Sequence, residues 1–280
     1  MDMIKCEQLT LQGKVEAIDH MIKNSIEREI TKTHKELMGQ YFTPGNVIDM
    51  MLEILKPVPS EVIVDPSSGC GNILIHAHIY IYQRYEVKTR TIMGIELDKT
   101  LIDVSNIFHK RLGVHSTIQN EDTLKKNDLD EKVDVIIGNP PFGKKMIINN
   151  PDGQTKKTER VEVLFLEKCV RMLKYGGRMG LVLPDGVLGN EGNSDMRKWL
   201  LQEGKILAVV DLPVETFMPF TSVKTSVLFF EKTKALTSDY RIFMAIAETC
   251  GHDKRGNTIL TDDVSKIAKE YDRWNASNTQ

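Results

Sequence analysis

Asn139-Pro140-Pro141-Phe142 combines residue types suited to handling an amino group. Two consecutive prolines fix the backbone and remove two N–H donors, which leaves a loop rich in acceptors. The Asn139 side-chain oxygen and the Pro140 carbonyl can both accept from one NH2, and Phe142 offers a flat face to an aromatic ring. An exocyclic amine on a base is a poor nucleophile because its lone pair is delocalised into the ring. Two acceptors that favour a tetrahedral nitrogen localise that pair, a preorganisation that acts most strongly as the transition state forms. For the tetrapeptide alone, a plain Asn-Pro turn followed by a core Phe is the competing reading.

Other polar residues sit where a nucleotide-type ligand would need them. Asp65 precedes the glycine loop Pro66-Ser67-Ser68-Gly69-Cys70-Gly71-Asn72, and the spacing is not GxGxxG. A carboxylate beside a tight loop containing Gly69 and Gly71 suits a ligand with a cationic amine and an adenosyl group better than a pyrophosphate. Glu96 stands where doubly wound folds hold a ribose diol. For Asp122, accepting from an adenine amino group and capping the next turn are both open. Thr43, before Pro44, can cap the following helix or help hold a carboxylate at its start, and Asn46 is an equal cap candidate. Phe217 and Phe220 are both available as a second wall for a flat base, although core packing is the commoner fate of Phe.

Alternating strands and helices must position these residues. Glu61–Asp65, Thr91–Ile95, Thr117–Gln119, Val133–Gly138, Arg178–Pro184, Ile206–Asp211 and Ser226–Phe230 read as strands, several of them continuous β-branched runs of the kind buried on both faces of a parallel sheet. Helices are expected over residues 14–38, Asn46–Leu55, Ile73–Tyr82, Leu97–Leu112, Val161–Leu173 and Asp195–Leu201. The segment Gly143–Arg160 reads as a polar loop whose lysine pairs, Lys144/Lys145 and Lys156/Lys157, can meet phosphates or simply face solvent. Near the end, a strand over Tyr240–Ala247, a loop over Gly251–Gly256 and a helix over Asp262–Tyr271 are expected. The alternation predicts an α/β fold.

Composition narrows the classes. The chain has 280 residues, 41% hydrophobic and 27% charged, with a formal net charge of −2. That balance suits a globular protein and does not suit a free-standing nucleic-acid binder, so phosphate contacts must come from a local patch or a partner. No apolar run approaches membrane-spanning length, and the first residues lack a signal-peptide core, so a cytoplasmic location and no membrane partner are expected. The four cysteines are scattered and form no CxxC pair, which fits a reducing compartment and points to no metal site.

Taken in order, QYFTP at 40–44, DPSSGCGN at 65–72, Glu96, Asp122, NPPF at 139–142, LFLEKCVRMLKYGGRMGLVLPDGVL at 164–188 and FTSVKTSVLFF at 220–230 resemble the N6-adenine DNA methyltransferases. The resemblance runs from Gly39 to Phe230 and is strongest to the catalytic part of type I restriction-modification methylation subunits. It implies a class I S-adenosylmethionine-dependent methyltransferase fold, Rossmann-like and doubly wound, with a mixed, mostly parallel sheet. With the residue pattern on either side of it, the chain is expected to divide into an amphipathic helical segment at 1–38, a catalytic domain at 39–232 and a strand-helix extension at 233–280. By the resemblance, S-adenosylmethionine is held by Thr43, Asp65, Gly69, Gly71, Glu96 and Asp122. The adenine, flipped out of double-stranded DNA, meets Asn139, Pro140 and Phe142, with Phe220 as the opposite wall. Only a short stretch precedes QYFTP and no target-recognition domain is evident, so a DNA-specificity subunit or a further domain is an expected partner, with oligomeric state open.

Alternatives remain at this point, among them cytosine N4 methylation, whose enzymes more often carry Ser at the first position of the tetrapeptide. An NPP-aromatic loop also serves methyltransferases acting on an RNA base amine or a protein glutamine amide, and a cofactor-binding scaffold subunit would keep the fold without transfer. QYFTP and FTSVKTSVLFF favour DNA adenine, and the presence of Asn139, Asp65 and Glu96 favours catalysis. No Pro-Cys dipeptide occurs, as attack through a cysteine on a cytosine ring would require.

Overall fold

The structure, a computed structural model, describes residues 42–87, 91–149, 156–235 and 239–278. The helix expected over residues 14–38, residues 39–41 before Phe42, and residues 150–153 of the expected turn lie outside the described residues.

Eight strands form one sheet in the order β10-β8-β9-β7-β4-β1-β2-β3. Helix α1 (Gly45–Leu55) leads into β1 (Val62–Asp65), α2 (Asn72–Tyr85), β2 (Thr91–Glu96), α3 (Lys99–Leu112), β3 (Thr117–Asn120) and β4 (Val133–Gly138). After an excursion through β5 (Lys145–Asn149) and β6 (Lys156–Arg160) come α4 (Val161–Met172), β7 (Leu173–Pro184), α5 (Asp185–Gly189), α6 (Ser194–Glu203), β8 (Gly204–Asp211) and β9 (Thr225–Lys232). The chain then adds β10 (Phe243–Ile246), the β11 (Cys250–His252) and β12 (Thr258–Asp262) hairpin, and α7 (Val264–Asn278). All neighbours in the large sheet are parallel except β9, which runs antiparallel to both β7 and β8. This is the expected mixed, mostly parallel, doubly wound α/β architecture. Among the described residues, no helix is long and apolar enough to cross a membrane.

The continuous apolar runs follow from burial on both faces. In β4, Val135 and Ile137 enter the core beneath α1 and α2, while Ile136 enters the core beneath α4. In β9, Phe229 and Phe230 likewise divide between the two layers. The two-residue repeat of a strand therefore fills both cores from one sequence run. The carboxyl-terminal segment shares this core: β10 pairs with β8, Phe243 opposite Ala208, and Val264, Ile267 and Tyr271 of α7 join the layer containing α1.

Three local expectations are corrected. Gly143–Arg160 is not a plain polar loop, because β5 and β6 pair antiparallel, Lys145 opposite Arg160 and Ile147 opposite Thr158. The local strand signal, the apolar run Met146-Ile147-Ile148, is short and flanked by lysines and an Asn-Asn-Pro sequence. The loop expected over Gly251–Gly256 is shortened to the turn at 253–257, because Gly251 and His252 belong to β11 of a hairpin with Cys250 opposite Asp262. Lys174–Gly177, expected as a helix stop, belongs to β7, where the register shifts between Val133–Leu173 and Val135–Arg178. A Cβ at Gly177 would lie 2.9 Å from the Val133 carbonyl, so only glycine admits that close approach.

Phe229 is fully buried between sheet and helices. Phe229→Ala is expected to lower the unfolding free energy by ~3–5 kcal/mol, measured by urea titration, with Phe230→Ala costing a similar amount from the opposite layer.

Candidate active site

Strand order reverses between β1 and β4, so their carboxyl ends open the crevice where α/β sheets bind ligands. Asp65 ends β1, and Asn139 follows directly on β4. Ser67 Oγ donates to the Asn139 carbonyl at 3.2 Å, joining the two loops. A side chain at Gly138 would lie 2.9 Å from Pro66 Cδ, so glycine is what lets them touch. Thr123 Oγ1 donates to the Pro66 carbonyl at 2.6 Å, and Asn72 Nδ2 donates to the Thr43 carbonyl at 2.7 Å. The β3 loop and the start of α1 are thereby tied to the same centre.

The glycine loop is held by its neighbours. Gly69 and Gly71 adopt positive φ of 52° and 78°, and Gly71 is packed so closely on Ser105 and His109 that a Cβ would lie 2.2 Å from Ser105 Oγ. Glu96 Oε2 accepts from Gly69 N–H at 2.8 Å, while its Oε1 accepts from Leu97 and Asp98 N–H at 2.8 Å each. Asp122 caps the turn after β3 by accepting from Leu124 N–H at 3.1 Å, and its other oxygen lies 3.0 Å from Lys125 Nζ. The cap role left open in the sequence is therefore present.

The centre holds several buried polar atoms with no hydrogen-bond partner. Thr43 Oγ1, Asp65 Oδ2, Ser68 Oγ and both Asn139 side-chain atoms are in this state. Their residues are between 0% and 3% exposed. Leaving such a group unsatisfied costs about 1–3 kcal/mol, and a folded chain tolerates several together where a ligand satisfies them. Neither Thr43 nor Asn46 is a side-chain cap of α1: Pro44 stands at its N-cap, and Asn46 Nδ2 instead donates to the Cys250 carbonyl at 3.0 Å.

Burial pushes the Asp65 carboxyl from 3.8 up to about 8; the Ser67 N–H opposes the rise and the Glu96 carboxylate adds to it. A cationic group against Oδ2 would reverse that penalty. Burial, with Glu96 and Asp98 adding to it, pushes the Cys70 thiol up to about 12, so its thiolate is not formed near neutral pH.

The aromatic candidates separate by exposure. Phe142 is half-buried against the core, Phe217 is 3% exposed within it, and Phe220 is 37% exposed. Of the two left open in the sequence, Phe220 has a face to offer. It lines a cavity of ≈ 390 Å³ together with Phe42, Pro44, Met218 and His252. A larger cavity of ≈ 550 Å³ lies beside Lys205, Arg241 and Trp274 at the amino end of β8, away from these residues, so size alone is a poor guide here.

Sequence reading missed Ser67, Ser68, His109 and Glu162. His109 Nε2 lies 3.2 Å from the Gly71 carbonyl, supporting the glycine loop from below. Glu162 is 0% exposed in the first turn of α4, and its Oε2 accepts from Gly143 N–H at 3.3 Å, directly after the Asn-Pro-Pro-Phe run. Its signal in the sequence is an acid among the apolar residues of a helix start.

Because Asp65 holds a proton in the fold that the unfolded chain releases, stability falls as pH rises from its ordinary value toward about 8. Asp65→Asn is expected to raise the melting temperature of the ligand-free protein by several degrees near neutral pH. The advantage should shrink toward about pH 5 as the unfolded carboxyl regains its proton. Thermal melts of both proteins across this range check the sign.

Known proteins match this arrangement. The chain is 34% identical over 213 residues to the methylase subunit of the type I restriction enzyme EcoEI from Escherichia coli, covering 69% of this chain and 42% of that subunit. It superposes on a chain from a type I restriction-modification system with TM-score 0.76 and 25% identity, covering 96% of this chain and 57% of that one. A Listeria monocytogenes protein described as a class I S-adenosylmethionine-dependent methyltransferase shares the fold, with TM-score 0.69, 21% identity, and coverage of 96% and 82%. The chain spans 42–44% of the length of the EcoEI, StySPI and EcoKI methylase subunits it matches. With the N-6 DNA Methylase family model matching residues 24–280, on this sheet and with these loops, the chain belongs to that family.

Proposed function

We propose that this chain is the catalytic core of an enzyme that methylates N6 of an adenine flipped out of double-stranded DNA, using S-adenosylmethionine, within a restriction-modification system. The observation that carries this reading is the group of buried, unpartnered polar atoms where β1 meets β4. Their chemistry fits both ligands: a carboxylate oxygen and a hydroxyl for an amino-acid moiety, and an amide for an exocyclic amine. When bound, S-adenosylmethionine would supply a methyl group on a positively charged sulfur, which a neutral amine can accept as the carbon–sulfur bond breaks, a neutral thioether leaving and the amine giving one proton to water.

Asp65 Oδ2 would hold the ammonium of the methionine moiety and Thr43 Oγ1 its carboxylate, with the Gly69–Gly71 backbone alongside. A carboxylate offers about four lone-pair sites, and three N–H groups occupy Glu96, leaving capacity for a ribose hydroxyl. Asp122 would accept from the adenine ring of the cofactor. Flipping the target base costs a few kcal/mol, offset by stacking on Phe142 and, as the second wall, Phe220. Asn139 Oδ1 and the Pro140 carbonyl accept the two N6 hydrogens and localise the lone pair toward the methyl donor. Glu162 acts through the backbone, fixing Gly143 so that Phe142 keeps its place. No covalent enzyme intermediate is required. Target-sequence recognition is assigned to a specificity partner, in keeping with relatives that serve as methylase subunits.

Incubation with labelled S-adenosylmethionine and duplex DNA, RNA and a glutamine-bearing protein substrate, followed by digestion, should yield N6-methyladenine in DNA; label in RNA or protein instead would refute the assignment. Asn139→Ala should lower kcat by at least ~10²-fold while cofactor affinity, measured by calorimetry, stays unchanged.

Glu162→Ala should lower kcat without weakening the cofactor. Glu162→Gln, whose amide oxygen still accepts from Gly143, should recover most of the loss in the same steady-state assay.

A further inference from the structure

The β11–β12 hairpin lies outside the main sheet and contributes none of the unpartnered atoms, yet it is firmly built. Asn46 Nδ2 donates to the Cys250 carbonyl at 3.0 Å and lies 3.2 Å from each Asp262 carboxylate oxygen, fixing the base of the hairpin to the start of α1. At the tip, the Asp253 carboxylate accepts from Arg255 N–H at 2.8 Å, Asn257 N–H at 2.9 Å and Asn257 Nδ2 at 3.0 Å. The turn's own acid is consumed in holding the turn, and two cations are carried on a preorganised backbone.

Those cations face outward. Lys254 is 70% exposed and only 3.9 Å from Glu215 Oε1, too loose a pair to hold it. Arg255 is exposed, with the Asp253 carboxylate of its own turn as a neighbouring charge. On β12, Ile259 is partly exposed and Leu260 wholly so. A lone exposed leucine carries no argument, but here it follows a tightly hydrogen-bonded turn that carries two cations. Cys250, His252, Gly256 and Thr258 line the ≈ 390 Å³ cavity together with Phe220 and Pro44. In a chain of net charge −2, contacts to a polyanion must be concentrated in such places.

We propose that the β11–β12 hairpin is a DNA-backbone clamp, with Lys254 and Arg255 taking phosphates of the strand that carries the target base and Ile259 and Leu260 packing on its sugars. This deepens the reading above and rests on it: the partner is duplex DNA entering the cleft beside Phe220.

The test titrates this full chain against a fluorescein-labelled duplex at several NaCl concentrations. Lys254→Ala/Arg255→Ala should weaken binding about tenfold and reduce the slope of log affinity against log salt by about 2, near 0.9 per phosphate contact. The cofactor dissociation constant should not move. Lys110→Ala/Arg111→Ala, in the last turn of α3 and outside the residues lining the ≈ 390 Å³ cavity, should leave the slope unchanged. Lys254→Arg/Arg255→Lys, which keeps both charges, should keep the slope. An unchanged slope in the alanine pair overturns the clamp, as does failure of the parent chain to bind duplex. Loss of a co-purifying protein partner with DNA affinity intact would also overturn it, making the hairpin a protein-docking element. Methyl transfer by the parent chain to RNA or protein would refute the catalytic reading, while the slope change would still identify the hairpin as a phosphate contact.

Discussion

The contact between the carboxyl ends of β1 and β4 is the constraint on which the rest of the structure depends. Asp65 and Asn139 come from strands far apart in sequence, and they are neighbours only because β4 pairs with β1 at the point where strand order reverses. Gly138 permits the contact by leaving room for Pro66, and Ser67 closes it with a hydrogen bond to the Asn139 carbonyl. Four further segments are then attached to these loops: the start of α1 through Asn72, the end of β2 through Ser68 and Gly69, the β3 loop through Thr123, and the start of α4 through Glu162 and Gly143. The two hydrophobic layers make this arrangement stiff enough to keep polar atoms dry and unpartnered.

That stiffness carries a cost that makes sense only through function. One buried carboxyl oxygen, two buried hydroxyls and a buried amide, all without partners, each reduce stability, and they fall in one place. Asp65 is held largely as its neutral acid in the free protein because burial disfavours its charge, with Glu96 adding repulsion. Arrival of a cation would draw the proton away, so ligand binding and proton release are coupled at this residue. Glu96, by contrast, is already engaged with three backbone N–H groups and serves as a strut for the glycine loop. Two acids at the ends of adjacent strands thus meet different surroundings, three backbone N–H groups at Glu96 and one at Asp65.

The site divides into halves of different construction. The half read as the cofactor site lies on strand ends and helix starts of the main sheet. The half read as the base site uses loops and additions: the Asn-Pro-Pro-Phe turn followed by β5 and β6, Phe220 on the connection before β9, and the β11–β12 hairpin that walls its cavity. Regular elements position a shared cofactor well, whereas additions at the rim can differ between substrates without disturbing the sheet.

Much of this was legible in the sequence. The strands ending at Asp65, Glu96 and Gly138 appear as short β-branched runs, and the Asp-Pro-Ser-Ser-Gly loop and Asn-Pro-Pro-Phe turn mark their ends, because strand period and turn chemistry are local properties. The two-faced burial of β4 and β9 follows from the same local signal. What the tertiary structure decided depends on neighbours distant along the chain. It buried Phe217 and left Phe220 exposed, freed Thr43 from capping, engaged Asp122 as a cap, brought Glu162 beneath Gly143, and gave the short β5 run its partner in the polar β6. Periodicity reports which side of an element is apolar; whether a polar atom on that element finds a partner is settled only when the sheet order brings its surroundings together.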